Sequence, residues 1–277
     1  MTTRFVVLSL GGQHEQTVRA WMALLSLLAW SPADRELVLI TDQPQRYRWF
    51  GERLRLYPVE QATVTAWQGP QRFFWRVKLM AMQTAADLGP ARLIYVDTDT
   101  LARQPLATLC EALDAGAVFM HCYEFDVARS RRRGDRRLWR QLRGLLPPPC
   151  PMWNAGVVAL GRERRALLDQ ALALCDRLLL AGVQHTLTEQ LATSVTLAAT
   201  GRLQAAAPWI DHYWGNKDGY AAASDRWLAE VLIDGASIDE AVQRLRVQPI
   251  RLPCVVRRRR WQQWAARLLG LAAAPPS

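Results

Sequence analysis

At 277 residues and 50% hydrophobic content, the chain can bury a sizeable core, so a mainly disordered protein is excluded. No run reaches the roughly 18 uninterrupted apolar residues that a membrane-spanning helix needs. The net charge of +10 is local: residues 129–143 hold eight Arg and one Asp, residues 251–277 hold six Arg and no acid, and the rest is slightly acidic.

Met1-Thr2-Thr3-Arg4 leads into a strand and not a signal peptide, so a cytoplasmic protein is expected. Arg4 to Leu10 reads as a buried strand, Gly11-Gly12 as a tight turn, Gln13 to Trp30 as a helix and Glu36 to Thr41 as a second strand. Asp42 follows as a turn carboxylate on the binding side. Strand, helix, strand predicts a mainly parallel sheet with ligands beyond the carboxyl ends of its strands. A third strand is expected within Arg53 to Val59. A helix follows over Gln71 to Leu88, with Phe74, Val77 and Met80-Ala81 facing inward.

Leu93 to Val96 then forms a buried strand that runs into Asp97-Thr98-Asp99. Extended backbone has a side-chain period of two, so both carboxylates leave the same face and can converge on one cation. Paired acids at the end of a buried strand need a positive partner, and a hard divalent ion with oxygen ligands supplies one. Such an ion can in turn take diphosphate oxygens.

Ala117 to His121 reads as another strand. The Arg-rich and Pro-rich stretch 129–149 lacks hydrophobic periodicity and is expected to be a long loop that recognises anionic groups on a substrate. Trp153-Asn154-Ala155-Gly156 leads into the strand Val157 to Leu160, with a carboxamide suited to sugar hydroxyls. Helices are expected over Glu163 to Leu180 and Thr186 to Thr200, where Thr186 and Glu189 have capping-box spacing. A short strand over Leu203 to Ala207 precedes Pro208 to Lys217. The five cysteines are scattered without a CxxC pair, which argues against a disulfide framework and against zinc. At the C-terminus, Arg257 to Arg260 precede Trp261, Trp264, Leu268 and Leu271 at helical spacing. A basic amphipathic helix able to lie on an anionic membrane is expected there.

IYVDTDT with PL after it, then WNAGVVAL, TEQLA and HYWGNK, resembles in content and order the retaining glycosyltransferases of the GT-A fold, in particular the family of glycogenin and the bacterial lipooligosaccharide galactosyltransferases. The resemblance spans residues 90–217. It implies an α/β GT-A domain over 1–250, with 251–277 as an extension. It further implies transfer from a nucleoside-diphosphate sugar, with uridine expected as the base, to a glycan or lipid-linked acceptor. Asp97, Asp99 and His212 would hold Mn²⁺ or Mg²⁺, and Arg76, Lys78 and Lys217 would face the donor. Asn154, Gly156, Glu189 and Gln190 would surround its sugar. The chain departs from the family's His-x-x-Gly-x-x-Lys-Pro-Trp segment: Lys217 comes one residue early and Asp218-Gly219 replaces Pro-Trp.

Two other classes are weaker. Asp-Thr-Asp-Thr also resembles the nucleophile strand of haloacid-dehalogenase phosphatases, but Leu101 stands where that pattern has Thr or Val, and the motif lies far from the first strand. A nucleic-acid-binding protein would explain the Arg clusters, but no base-stacking module accompanies them.

Overall fold

The computed structural model describes residues 2–250, and the expected membrane-binding helix of 251–277 lies outside them. The first half contains β1 (Thr3–Ser9), α1 (His14–Trp30), β2 (Arg35–Thr41), β3 (Arg55–Pro58), α2 (Gln61–Trp67), α3 (Arg76–Ala86), β4 (Arg92–Val96), β5 (Thr100–Ala102), α4 (Ala107–Asp114), β6 (Val118–Met120), β7 (Tyr123–Asp126) and α5 (Arg133–Leu142). The second half contains β8 (Pro151–Trp153), β9 (Val157–Leu160), α6 (Ala166–Leu180), α7 (Thr188–Ala198), β10 (Leu203–Ala205), β11 (Ile210–His212), α8 (Lys217–Ile233) and α9 (Ile238–Val247).

One seven-stranded sheet runs in the order β10-β6-β9-β4-β1-β2-β3. All neighbours are parallel except β9, which is antiparallel to both β4 and β6. Period-two alternation splits its side chains between two apolar layers. Phe5, Val7, Leu37, Leu39, Ile94 and Val96 meet α1, α4, α8 and α9, whereas Val6, Val38, Ile40, Leu93 and Tyr95 meet α3, α6 and α7. This is the helix-flanked, mainly parallel sheet that the GT-A resemblance implied. No helix among the described residues is long and apolar enough to cross a membrane.

The reversed strand positions the site. Parallel strands deliver their carboxyl ends to one edge, and β9 brings its amino end, with Asn154 to Gly156 before it, to that same edge. There Asp97 N donates to Gly156 O at 2.8 Å.

Two expectations are corrected. The segment 129–149 is not a loop throughout, because α5 occupies its middle and buries Leu138 and Leu142. Leucines four residues apart form an apolar stripe that the surrounding arginines masked. Phe74 does not face inward: it precedes the first turn of α3 and is 49% exposed.

Candidate functional site

Asp97 and Asp99 sit where β4 ends. His212 joins them because β11 pairs antiparallel with β5 and sets His212 opposite Thr100. Ligand atoms of Asp97, Asp99 and His212 all lie within 4.8 Å of one another. His212 Nε2 is 3.3 Å from Asp99 Oδ1 and 3.9 Å from Asp97 Oδ2. Two carboxylates and an imidazole form a donor set able to hold a divalent cation.

The carboxylates are already compensated by lysines from two directions. Lys78 Nζ, buried on α3, lies 3.0 Å from Asp97 Oδ1 and donates to Ala155 O at 3.1 Å. Tyr95, two residues before Asp97 on the same face, donates its hydroxyl to Asp97 Oδ1 at 2.9 Å. Lys217 Nζ lies 2.7 Å from Asp99 Oδ2 with its side chain 46% exposed. A single 3₁₀ turn, Trp214–Asn216, leads from β11 into α8, which starts at Lys217. Burial alone would raise the Asp99 pKa, but hydrogen bonds and charge from His212 and Lys217 hold it well below the usual carboxylate range.

The orientation of His212 is set by a chain of hydrogen bonds. Gly156 N donates to Asn154 Oδ1 at 2.9 Å, while Asn154 Nδ2 donates to Glu124 Oε1 at 3.0 Å, so the amide has one possible sense. His212 Nδ1 lies 2.7 Å from Asn154 Oδ1 and must donate to it. Nδ1 therefore carries a proton, and Nε2 is the nitrogen turned to the carboxylates. Gln190 Nε2 donates to the other Glu124 oxygen at 2.9 Å. His121 packs edge-on against His212 at 5.4 Å between centroids, and burial first, then the charge of His212, lowers its pKa to about 4.

Gly156 leaves the room that His212 occupies: a Cβ there would stand 2.2 Å from His212 Nδ1. We expect Gly156→Ala to displace the imidazole, costing about 1–3 kcal/mol of stability and weakening divalent-ion binding by about 10–100-fold. Calorimetric titration with Mn²⁺ checks this. Wild-type affinity in the variant would show that the ring's position does not matter.

Glu189 does not close a helix end. The first turn of α7 has no side-chain cap, so the capping box expected from Thr186 and Glu189 does not form. Its carboxyl is instead 3% exposed, with Thr193 Oγ1 at 3.4 Å from Oε1. Burial raises its pKa to about 7, with Lys78 lowering it and Asp97 raising it.

Arg76 is not brought to this cluster. It makes a bidentate pair with Asp176 at 2.6 and 3.0 Å and donates to Trp67 O at 2.7 Å, which ties α3 to α6. Asp42 accepts from Gly11 N at 2.8 Å and holds the turn after β1. The sequence reading passed over Glu124, whose partners lie 30 and 66 residues away. It also passed over Tyr95, which the alternation of β4 would have placed beside Asp97.

Fold and site together define an α/β domain, a mainly parallel seven-stranded sheet flanked by helices, with a three-residue cluster able to hold a divalent cation at the carboxyl edge of its sheet. No protein-family model matches the chain, and no curated protein matches it. Among solved structures it is similar to the apo form of mouse xyloside xylosyltransferase 1. The identity is 15%, over 74% of this chain and 85% of that one, with a TM-score of 0.47.

Proposed function

We propose that the protein is a glycosyltransferase that takes a nucleoside-diphosphate sugar and passes the sugar to a glycan or lipid-linked acceptor, with retention of anomeric configuration. The observation that carries this reading is the Asp97, Asp99 and His212 cluster, with lysines on both carboxylates, at the edge where α/β sheets bind ligands. A Mn²⁺ or Mg²⁺ ion held by these residues supplies positive charge that makes a diphosphate a better leaving group. Lys78 is enclosed, so it pairs with Asp97 and holds that carboxylate in place. Lys217 lies at the rim and can exchange Asp99 for a diphosphate oxygen. Asn154, Gln190 and Glu189 line the side on which the sugar would rest, and the acceptor hydroxyl attacks on the face the nucleotide leaves. Uridine is the base we propose.

A thermal-shift screen of nucleoside diphosphates and their sugars, with and without Mn²⁺, tests the reading. Stabilisation that needs the metal and grows with ligand concentration is expected. Full turnover in EDTA, or no stabilisation by any nucleotide, would overturn it.

Glu124 enters the reaction through His212. Glu124→Gln offers one acceptor where two amides need one each, so Asn154 loses its fixed sense. Mn²⁺ affinity is expected to fall about 10–100-fold with little change in melting temperature. In the metal-free protein, the ¹⁵N shift of His212 Nδ1 should move from that of a fully protonated nitrogen to an average of protonated and unprotonated forms. An unchanged Nδ1 shift would remove Glu124 from this role.

A further inference from the structure

The hairpin that carries Glu124 also carries a cluster of arginines without carboxylate partners among the described residues. Between β7 and β8 the chain inserts α5, and Arg131, Arg133, Arg136 and Arg140 line an open cavity of about 760 Å³ with Ser130 and Trp139. None of these four arginines has a carboxylate partner among the described residues. The one acid of the helix, Asp135, accepts from Ser130. Arg133, Arg136 and Arg140 lie at i, i+3 and i+7, so they share one face, while Leu138 and Leu142 anchor the other in the core. Like charges at that spacing repel, and Asp135, the helix's one acid, lies off that face. An anion bound across the face would offset them.

The cavity's size narrows the ligand. It falls in the range of small-molecule sites, and the indole of Trp139 within it offers an apolar face to a ring. Its near rim at Ala128 is four residues from Glu124, hence within about 14 Å of it even if the chain between were fully extended. We propose that this groove binds phosphate groups carried on a saccharide, the guanidiniums taking the phosphates and Trp139 the ring. If the protein is the glycosyltransferase argued above, the ligand is its acceptor, held by its phosphates while a hydroxyl reaches the donor sugar. The acceptor role rests on that reading, whereas the anion site does not.

Fructose 1,6-bisphosphate is the probe, titrated into the full chain in EDTA so that a metal-bound phosphate cannot contribute. Arg133→Gln, Arg136→Gln and Arg140→Gln are combined, since Gln keeps helix propensity while losing the charge. Arg48→Gln, Arg177→Gln and Arg226→Gln, all exposed and distant in sequence, make a charge-matched control. The α5 variant should bind about 10-fold more weakly or worse, with the control near wild type and unphosphorylated fructose not binding. Arg136→Gln alone should shift binding in the same direction if the triple variant loses its fold.

Equal loss in both triple variants would reduce the effect to net charge and overturn the proposal, as would no binding by the wild type. Tighter α5-dependent binding to a 20-base-pair duplex, or to phosphatidylglycerol vesicles, would also overturn it in favour of a nucleic acid or a headgroup. Donor hydrolysis is measured in parallel. Bisphosphate binding that depends on α5, in a protein that cleaves no nucleoside-diphosphate sugar, leaves the anion site standing and removes the transferase. Donor cleavage without bisphosphate binding does the reverse.

Discussion

Asp99→Ala is expected to abolish metal-dependent donor binding and to lower transfer by about 10³-fold, the several kcal/mol that a bound cation supplies to a departing diphosphate. The fold should survive. Asp99 is 4% exposed, but its partners are not left stranded: Lys217 is nearly half exposed and can re-solvate, and His212 keeps its bond to Asn154. The pH response adds a second signature. Hydrogen bonds and charge from His212 and Lys217 outweigh burial and depress the folded-state pKa of Asp99. The stability it contributes is therefore present above the ordinary carboxylate pKa and lost as pH falls below about 4. The variant should show a flatter melting temperature on the acid side. Near-normal transfer by Asp99→Ala would sink the metal assignment.

Glu189→Gln is expected to separate stability from activity. Burial raises the Glu189 pKa from 4.5 to about 7, so the folded state holds a proton that the unfolded chain releases. Its presence therefore destabilises the fold progressively as pH rises from about 4.5 to 7, by roughly 3 kcal/mol at most. Gln cannot ionise, so the variant should melt higher than wild type at neutral pH, with the two converging near pH 4. If the carboxylate steadies positive charge at the anomeric carbon, turnover should fall about 10²–10³-fold in the same protein. A higher melting temperature with unchanged turnover would leave Glu189 a buried acid without a part in the reaction.

Local physics makes some of this architecture legible in one dimension. Apolar runs ending at Ser9 and Thr41 announce parallel strands, and the run Leu93 to Val96 announces a buried strand with carboxylates at its end. The alternation carries only as far as Asp97, because Thr98-Asp99 is a turn, and it is that turn which returns Asp99 to the cluster. Ser237 and Glu240 form a capping box at the start of α9, a signal readable from spacing alone although the sequence reading left residues 218–250 unassigned. The helix α5 was missed for a local reason as well: eight arginines hide a four-residue leucine spacing.

What local pattern could not decide is which distant groups meet. His212 reaches Asp99 through the register of β11 on β5, and Asn154 reaches His212 because β9 runs against its neighbours. Glu124 becomes part of the site only when β7, the segment between β8 and β9, and the first turn of α7 meet at one edge. Arg76 and Lys78 stand two residues apart, yet the packing of α3 turns one to Asp176 on α6 and the other to Asp97. Successive helical side chains diverge by about 100° per residue, so their partners depend on what lies against each face. The sequence by itself determined the strand ends and their chemistry. The resemblance it carries implied Gly156 at the sugar, whereas the space beside Gly156 holds the His212 ring. The tertiary structure decided which ring fills that space, which cation balances which carboxylate and which helix end stays uncapped, because those contacts arise from pairing and packing between segments far apart in the chain.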